Sequence, residues 1–156
     1  MNSTPPALQF LMSLWDVWQG LTRAGEGLLR ERHSLSLREF IVLCYVQGGT
    51  QQPSALAEAL GVPRYDISRT LARLEEAGLL TRQPDAQDAR RTTLQLTAAG
   101  QASQAQAQAT VLEFVGQSIA RLSAQPDLPD ILTVSRALSA LHPTPPSSVP
   151  PSGDPA

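Results

Sequence analysis

"PRYDISRTLARLEEAGLLTRQPDAQDARRTTLQLT", Pro63 to Thr97, runs a helical period directly into a strand alternation, and that order decides the fold. Up to Gly78 the period is that of a helix: Ile67, Leu71 and Leu74 share one face. Tyr65, Ser68, Arg69, Ala72 and Arg73 lie on or beside the opposite face, which is therefore small, hydroxylic and cationic. Pro63 suits the opening of this helix and Gly78 its end. Next come "GLLTRQ" and "TTLQLT", short segments with partial alternation (Leu80 and Arg82; Leu94 and Leu96) around the turn-rich "PDAQDAR". They predict a β-hairpin.

Upstream, Pro53 to Gly61 predicts a helix of about two turns, with proline at its first position and glycine at its stop. Before it, "SLREFIVLCYV" places Ser36 and Glu39 at capping-box spacing ahead of a nearly continuous apolar run, which predicts a short buried helix halted by "GGT". A long amphipathic helix is expected over residues 8–32, with Leu11, Leu14, Trp15, Trp18, Leu21, Leu28 and Leu29 in helical register. Gly20, Gly25 and Gly27 weaken it locally. Downstream, Thr97 is the expected N-cap of a helix whose first half is Ala/Gln and whose second half carries Leu112, Val115, Ile119 and Leu122. "PDLPDILTVSRALSALH" predicts the last helix, and the proline-rich end beyond His142 predicts disorder.

A helix, a tight turn, a second helix with a polar outer face and a hairpin immediately after it make a winged helix-turn-helix. The expected class is mainly α with a small β-hairpin wing. The expected organisation is an N-terminal dimerisation helix (1–35), a DNA-binding lobe (36–96), C-terminal dimerisation helices (97–142) and the tail (143–156). The apolar faces of the terminal helices exceed what one small lobe can cover, which points to a partner chain.

Composition narrows the function. The chain has 156 residues, a formal net charge of −2, 12 arginines and no lysine, so any phosphate contact uses the planar guanidinium fork. Six arginines (Arg64, Arg69, Arg73, Arg82, Arg90, Arg91) fall between residues 64 and 91, yet five acids fall there too, leaving the segment only +1. Geometry, not net charge, has to make a DNA surface. One cysteine excludes an internal disulfide and fits a reducing compartment. The N-terminus lacks a basic leader, and Asp16 interrupts its apolar stretch, so a cytoplasmic protein without a membrane span is expected. No metal-ligand spacing and no nucleophile paired with a base appears, and neither a cofactor nor an enzymatic activity is expected.

Ala55 to Gly100 closely resembles the MarR family of bacterial transcriptional regulators. The matching features are the "LAEALGV" turn entry, the "RLEEAGLLTR" passage from helix to strand, the Asp85-x-x-Asp88-x-Arg90 wing and the "LTAAG" start of the next helix. The layout agrees over about residues 8–142, and the motifs over 36–100. The resemblance implies a homodimer on a palindromic double-stranded operator, with repression relieved by a small-molecule effector or by oxidation. It implies DNA contacts from Arg64, Tyr65, Ser68, Arg69 and Arg73 on the helix, and from Arg82, Arg90 and Arg91 at the wing. Arg90 would enter the minor groove braced by Asp88, with Arg91 on the backbone. Where many relatives carry a basic residue after the second wing aspartate, this chain has Ala89, which implies fewer phosphate contacts.

Three alternatives stand beside that reading. Cys44 could sense oxidants, although its place inside "FIVLCYV" suits a small core residue better. The winged helix could dock a protein instead of DNA. Arg69 and Arg73 could be ordinary surface residues pairing with Asp66, and Arg82 could pair with Asp85.

Overall fold

The computed structural model describes residues 5–84, 92–124, 127 and 129–141. The elements are α1 (Pro6–His33), α2 (Leu37–Gln47), α3 (Pro53–Leu60), α4 (Arg64–Glu76), β1 (Leu80–Pro84), β2 (Thr92–Leu96), α5 (Ala98–Ser123) and α6 (Ile131–Ala140). The chain divides into two compact units, residues 1–114 and 115–156. The predicted class, mainly helical with one two-stranded antiparallel hairpin, is the class found.

Local chemistry sets the element ends. α1 passes through Gly20, Gly25 and Gly27 without a break and stops at Ser34, which takes the left-handed conformation (φ 55°) and returns its N–H to the Arg30 carbonyl. The capping box forms as expected: Glu39 N–H donates to Ser36 Oγ (3.1 Å) and Ser36 N–H donates to Glu39 Oε2 (2.7 Å). α1 adds a second cap, because Glu26 Oε2 accepts from the Leu37 N–H at 2.6 Å. Pro53 begins α3, and Gly61 ends it at φ 61°. Pro63 stands just outside α4 as its N-cap, so the helix opens at Arg64, one residue later than the sequence predicts. α6 is shorter than the stretch expected for it, since Asp130 caps it by accepting from the Leu132 and Thr133 N–H groups.

In the unit 1–114, α1, α2, α3 and α4 bury one core with the hairpin. Leu29, Val42, Leu43, Leu56, Ile67, Leu71, Leu74, Leu80 and Leu94 are its most enclosed side chains. The register Leu80 to Leu96, Arg82 to Leu94 and Pro84 to Thr92 turns Leu80 and Leu94 into that core. Leu94 also donates its N–H to the Gln51 carbonyl (2.8 Å), so the loop before α3 is fastened to β2. Thr97 joins α4's end to α5: its hydroxyl donates to the Gly78 carbonyl (2.7 Å) and accepts from the Gly100 N–H (2.9 Å). The expected cap is in place.

Gly100 follows from this close approach. A Cβ there would overlap the Leu79 carbonyl oxygen and stand 2.9 Å from its carbon. Backbone cannot swing aside as a flexible side chain can. Gly100→Ala is expected to destabilise the lobe by about 1–3 kcal/mol, read as a lower denaturant midpoint at unchanged slope.

Glu26 gives a pH expectation. The hydrogen bond from the Leu37 N–H holds its carboxyl below the ordinary 4.5, helped by Arg30 and opposed by desolvation. A depressed folded-state value means that the contribution is complete above 4.5 and is lost as pH falls through the lower folded value. Glu26→Gln should lower the neutral plateau and flatten the acid limb of a stability-versus-pH curve, so that variant and wild type converge as pH falls.

The expectation of a disordered tail falls on residues 143–156, outside the described residues.

Candidate nucleic-acid interface

α4 is amphipathic in the expected sense. Ile67, Thr70, Leu71 and Leu74 are buried, and Arg64, Tyr65, Ser68, Arg69, Ala72 and Arg73 are exposed. Tyr65 is 64% exposed, so its ring projects from the helix. The turn that presents α4 is tied back to α3, with Gly61 N–H on the Glu58 carbonyl and Val62 N–H on the Ala57 carbonyl, both 3.1 Å. α3 and α4 thus meet as a helix-turn-helix pair.

The structure sorts the arginines by what they hold. Arg73 pairs with Glu39 (3.4 Å) and Arg38 with Asp66 (3.4 Å), so α2 reaches α4 by two ion pairs. Arg82 on β1 pairs with Glu75 on α4 at 3.0 Å. Asp66 is therefore taken by Arg38 rather than by Arg69 or Arg73, and the partner of Arg82 is Glu75, a residue the sequence reading did not weigh for it. These pairs are at least partly exposed, and each contributes on the order of 0–1 kcal/mol. Their use is directional: Arg73 leans towards α2. Among the described residues Arg64 and Arg69 have no ion-pair or hydrogen-bond partner for their guanidinium groups. Asp88, Arg90 and Arg91 lie outside the described residues.

Two hollows flank α4. A polar one of about 430 Å³ is lined by Gln52, Pro53, Ser54, Arg64, Ser68 and Thr92. A larger cleft of about 1000 Å³ lies on the other side, walled by α1, α2, α3 and α4; Leu37, Ile41, Leu60 and Val62 give it an apolar side, and Arg38, Asp66, Arg69 and Arg73 a charged one. Gln52, Ser54 and Thr92 were not singled out in the sequence. Gln52 and Ser54 lie at the start of α3 and Thr92 on β2, and only the tertiary fold brings these two segments to α4.

Residues 33–91 match the MarR family model. This stretch, the winged-helix lobe, is similar to the MarR family. A search of the curated proteins found no match. Among solved structures, the transcriptional regulator BldR from Sulfolobus solfataricus superposes with a TM-score of 0.75 at 19% identity, over 90% of this chain and 96% of that one. A mutant of MarR from E. coli complexed with operator DNA gives 0.68 at 23%, over 89% and 100%. The regulator MosR from M. tuberculosis in complex with DNA gives 0.64 at 24%, over 84% and 91%. At these identities the likeness shows the fold, here the MarR-family winged helix.

Cys44 and His33 take structural places. Cys44 is half-buried rather than fully shielded, and the Gln104 amide donates to its sulfur at 3.5 Å. His33 Nε2 bonds the Thr110 hydroxyl at 2.8 Å, joining α1 to α5. Among the described residues no His, Cys, Asp or Glu cluster could hold a metal ion, and no helix is long and apolar enough to cross a membrane.

Proposed function

We propose that the chain is a sequence-specific DNA-binding transcriptional regulator, acting in the cytoplasm as a homodimer on a palindromic operator. The exposed face of α4 carries this reading: Tyr65, Ser68 and Arg69 project from its early turns, backed by a rigid aliphatic side. That arrangement is what a helix needs to read base edges in the major groove. The neighbours solved with DNA support the direction of the reading. Arg69 is the expected base or phosphate contact and Arg64 a flanking one; Arg82 and Arg73 contribute after exchanging or sharing their carboxylates. Arg90, braced by Asp88, reaches the minor groove, and Arg91 the backbone.

The dimer rests on α1. Its N-terminal half leaves Leu11, Leu14, Trp15, Trp18 and Leu21 exposed, with Trp15 at 58% and Trp18 at 61%. So large an apolar stretch on a lone chain calls for cover. Repression released by a small-molecule effector is the mode proposed, and the 1000 Å³ cleft has room for such a ligand directly against Arg69 and Arg73.

Selection from a pool of random duplexes tests the proposal: enrichment of one palindromic sequence supports it, and binding that ignores sequence at all salt concentrations removes it.

Cys44 is proposed to be silent in sensing. Cys44→Ser should change stability modestly and leave the response of DNA binding to peroxide unaltered. Release of DNA on oxidation by the wild type, but not by the serine variant, would make Cys44 the sensor instead.

A further inference from the structure

We propose that Glu39 of α2 is a positioning residue for DNA binding: it grips the Arg73 guanidinium at its Nε edge and leaves the terminal edge for a phosphate of the duplex. This role rests on the DNA-binding reading and extends it to a residue outside the helix-turn-helix pair and the hairpin. Glu39 is the only buried carboxylate among the described residues, at 8% exposure. Its place is fixed twice over. Oε2 accepts from the Ser36 N–H at 2.7 Å and the Glu39 N–H donates to Ser36 Oγ at 3.1 Å, so the carboxylate is locked to the first turn of α2 and cannot follow a moving partner. The other oxygen, Oε1, stands 3.4 Å from Arg73 Nε.

Arg73 is open where Glu39 is enclosed. Its side chain stays 64% exposed while paired, against 10% for that of Glu39. An ion pair so open on one side adds little to stability, which leaves direction as its use. A guanidinium can bond an oxyanion along an edge that includes Nε or along the edge formed by its two terminal nitrogens. With Nε turned to Glu39, the terminal edge points elsewhere. Arg73 borders both a hollow of about 510 Å³, which Glu39 also lines, and the 1000 Å³ cleft, so the guanidinium has open space beyond the carboxylate. Arg73 is also one helical turn beyond Arg69, beside the part of α4 proposed to meet the duplex. Arg82 is held in the same manner, its Nε 3.0 Å from Oε2 of Glu75 near the end of α4. Every basic residue of the chain is arginine, the side chain that can be held at one edge and present a planar fork at another.

The test uses the full chain and the duplex that the wild type selects from a random pool. Glu39→Gln keeps a capping box, which accepts glutamine at this position, and removes the charged grip on Arg73. Losing a preset side chain is expected to weaken binding about threefold at unchanged salt slope, because the arginine is still present. Simple charge predicts the reverse, since removing a carboxylate near DNA strengthens attraction. Arg73→Gln should weaken binding further and make the slope of log K against log salt shallower by about 0.9. In the Arg73→Gln background Glu39→Gln should bring no additional weakening, the mark of a residue that acts through the arginine. Ser36→Ala loosens the cap but leaves the carboxylate beside Arg73, so it is expected to bind as the wild type does. Arg73→Lys leaves Glu39 untouched and keeps the charge; it should weaken binding a few-fold at the wild-type slope, because an ammonium has no second edge. Tighter binding by Glu39→Gln overturns the proposal by making the carboxylate a competitor of the duplex. Equal weakening in both backgrounds, or weakening by Ser36→Ala to the same degree, overturns it by making Glu39 a cap alone. Wild-type affinity in Glu39→Gln or in Arg73→Lys overturns it while leaving DNA binding standing. Failure of the wild type to select any duplex removes the DNA-binding reading and the role of Glu39 together.

Discussion

Trp15→Glu combined with Trp18→Glu is expected to turn the proposed dimer into a folded monomer. Both side chains are exposed in the single chain, in the midst of Leu11, Leu14 and Leu21. Each aliphatic residue left in water forgoes roughly 1.5–3 kcal/mol of burial, so several together give a strong drive to pair. Two carboxylates on each chain in that seam would have to be desolvated, and they would face two more across a symmetric interface. The lobe should survive, because its buried leucines begin at Leu29 and involve neither tryptophan. Light scattering at micromolar concentration should show twice the chain mass for the wild type and the chain mass for the variant, with unchanged helical circular dichroism. Removing residues 143–156 should leave the dimer intact. A wild-type monomer would refute the proposed architecture.

Arg69→Ala and Arg90→Ala are expected to weaken operator binding in two distinguishable ways. Arg69 lies on the exposed face of α4 without a partner among the described residues. If it reads a base, its loss costs about 1–3 kcal/mol and relaxes discrimination at one position of each half-site. Arg90→Ala should lower affinity across many sequences, most where a narrow A·T-rich minor groove faces the hairpin, and should flatten the salt slope. Asp88→Ala separates bracing from simple charge. Removing a negative charge near DNA strengthens binding by Coulomb attraction alone, whereas loss of a brace that positions Arg90 weakens it. Weakening is expected. Tighter binding at equal salt would show that Arg90 needs no brace.

Much of the fold is legible in the chain because its punctuation is local. Ser36 with Glu39, Pro53, Gly61 and Thr97 act within four residues of themselves, and each marks an element end. The hairpin pairs neighbours in sequence, so its strands were readable from alternation alone. What was not legible depends on contacts between distant segments. Glu26 capping α2, Glu39 holding Arg73 and Glu75 holding Arg82 join elements whose meeting no periodicity announces. Helical spacing placed Arg69 and Arg73 together on the outer side of α4; the structure separates them, because Arg73 lies nearer the flank facing α2 and finds a carboxylate there. The same limit hid the hollow around Arg64. Its lining comes from residues 52–54, 64, 68 and 92, and only packing brings them to one place.

α4 is proposed to read duplex sequence. The most direct test is the equilibrium binding of wild type and Arg69→Ala to the selected palindrome and to a scrambled duplex of equal length and composition, across a range of salt. The account predicts a preference of wild type for the palindrome that persists as salt rises, with both affinities falling log-linearly, and a smaller preference in Arg69→Ala. Equal affinity of the wild type for both duplexes at every salt concentration would contradict it.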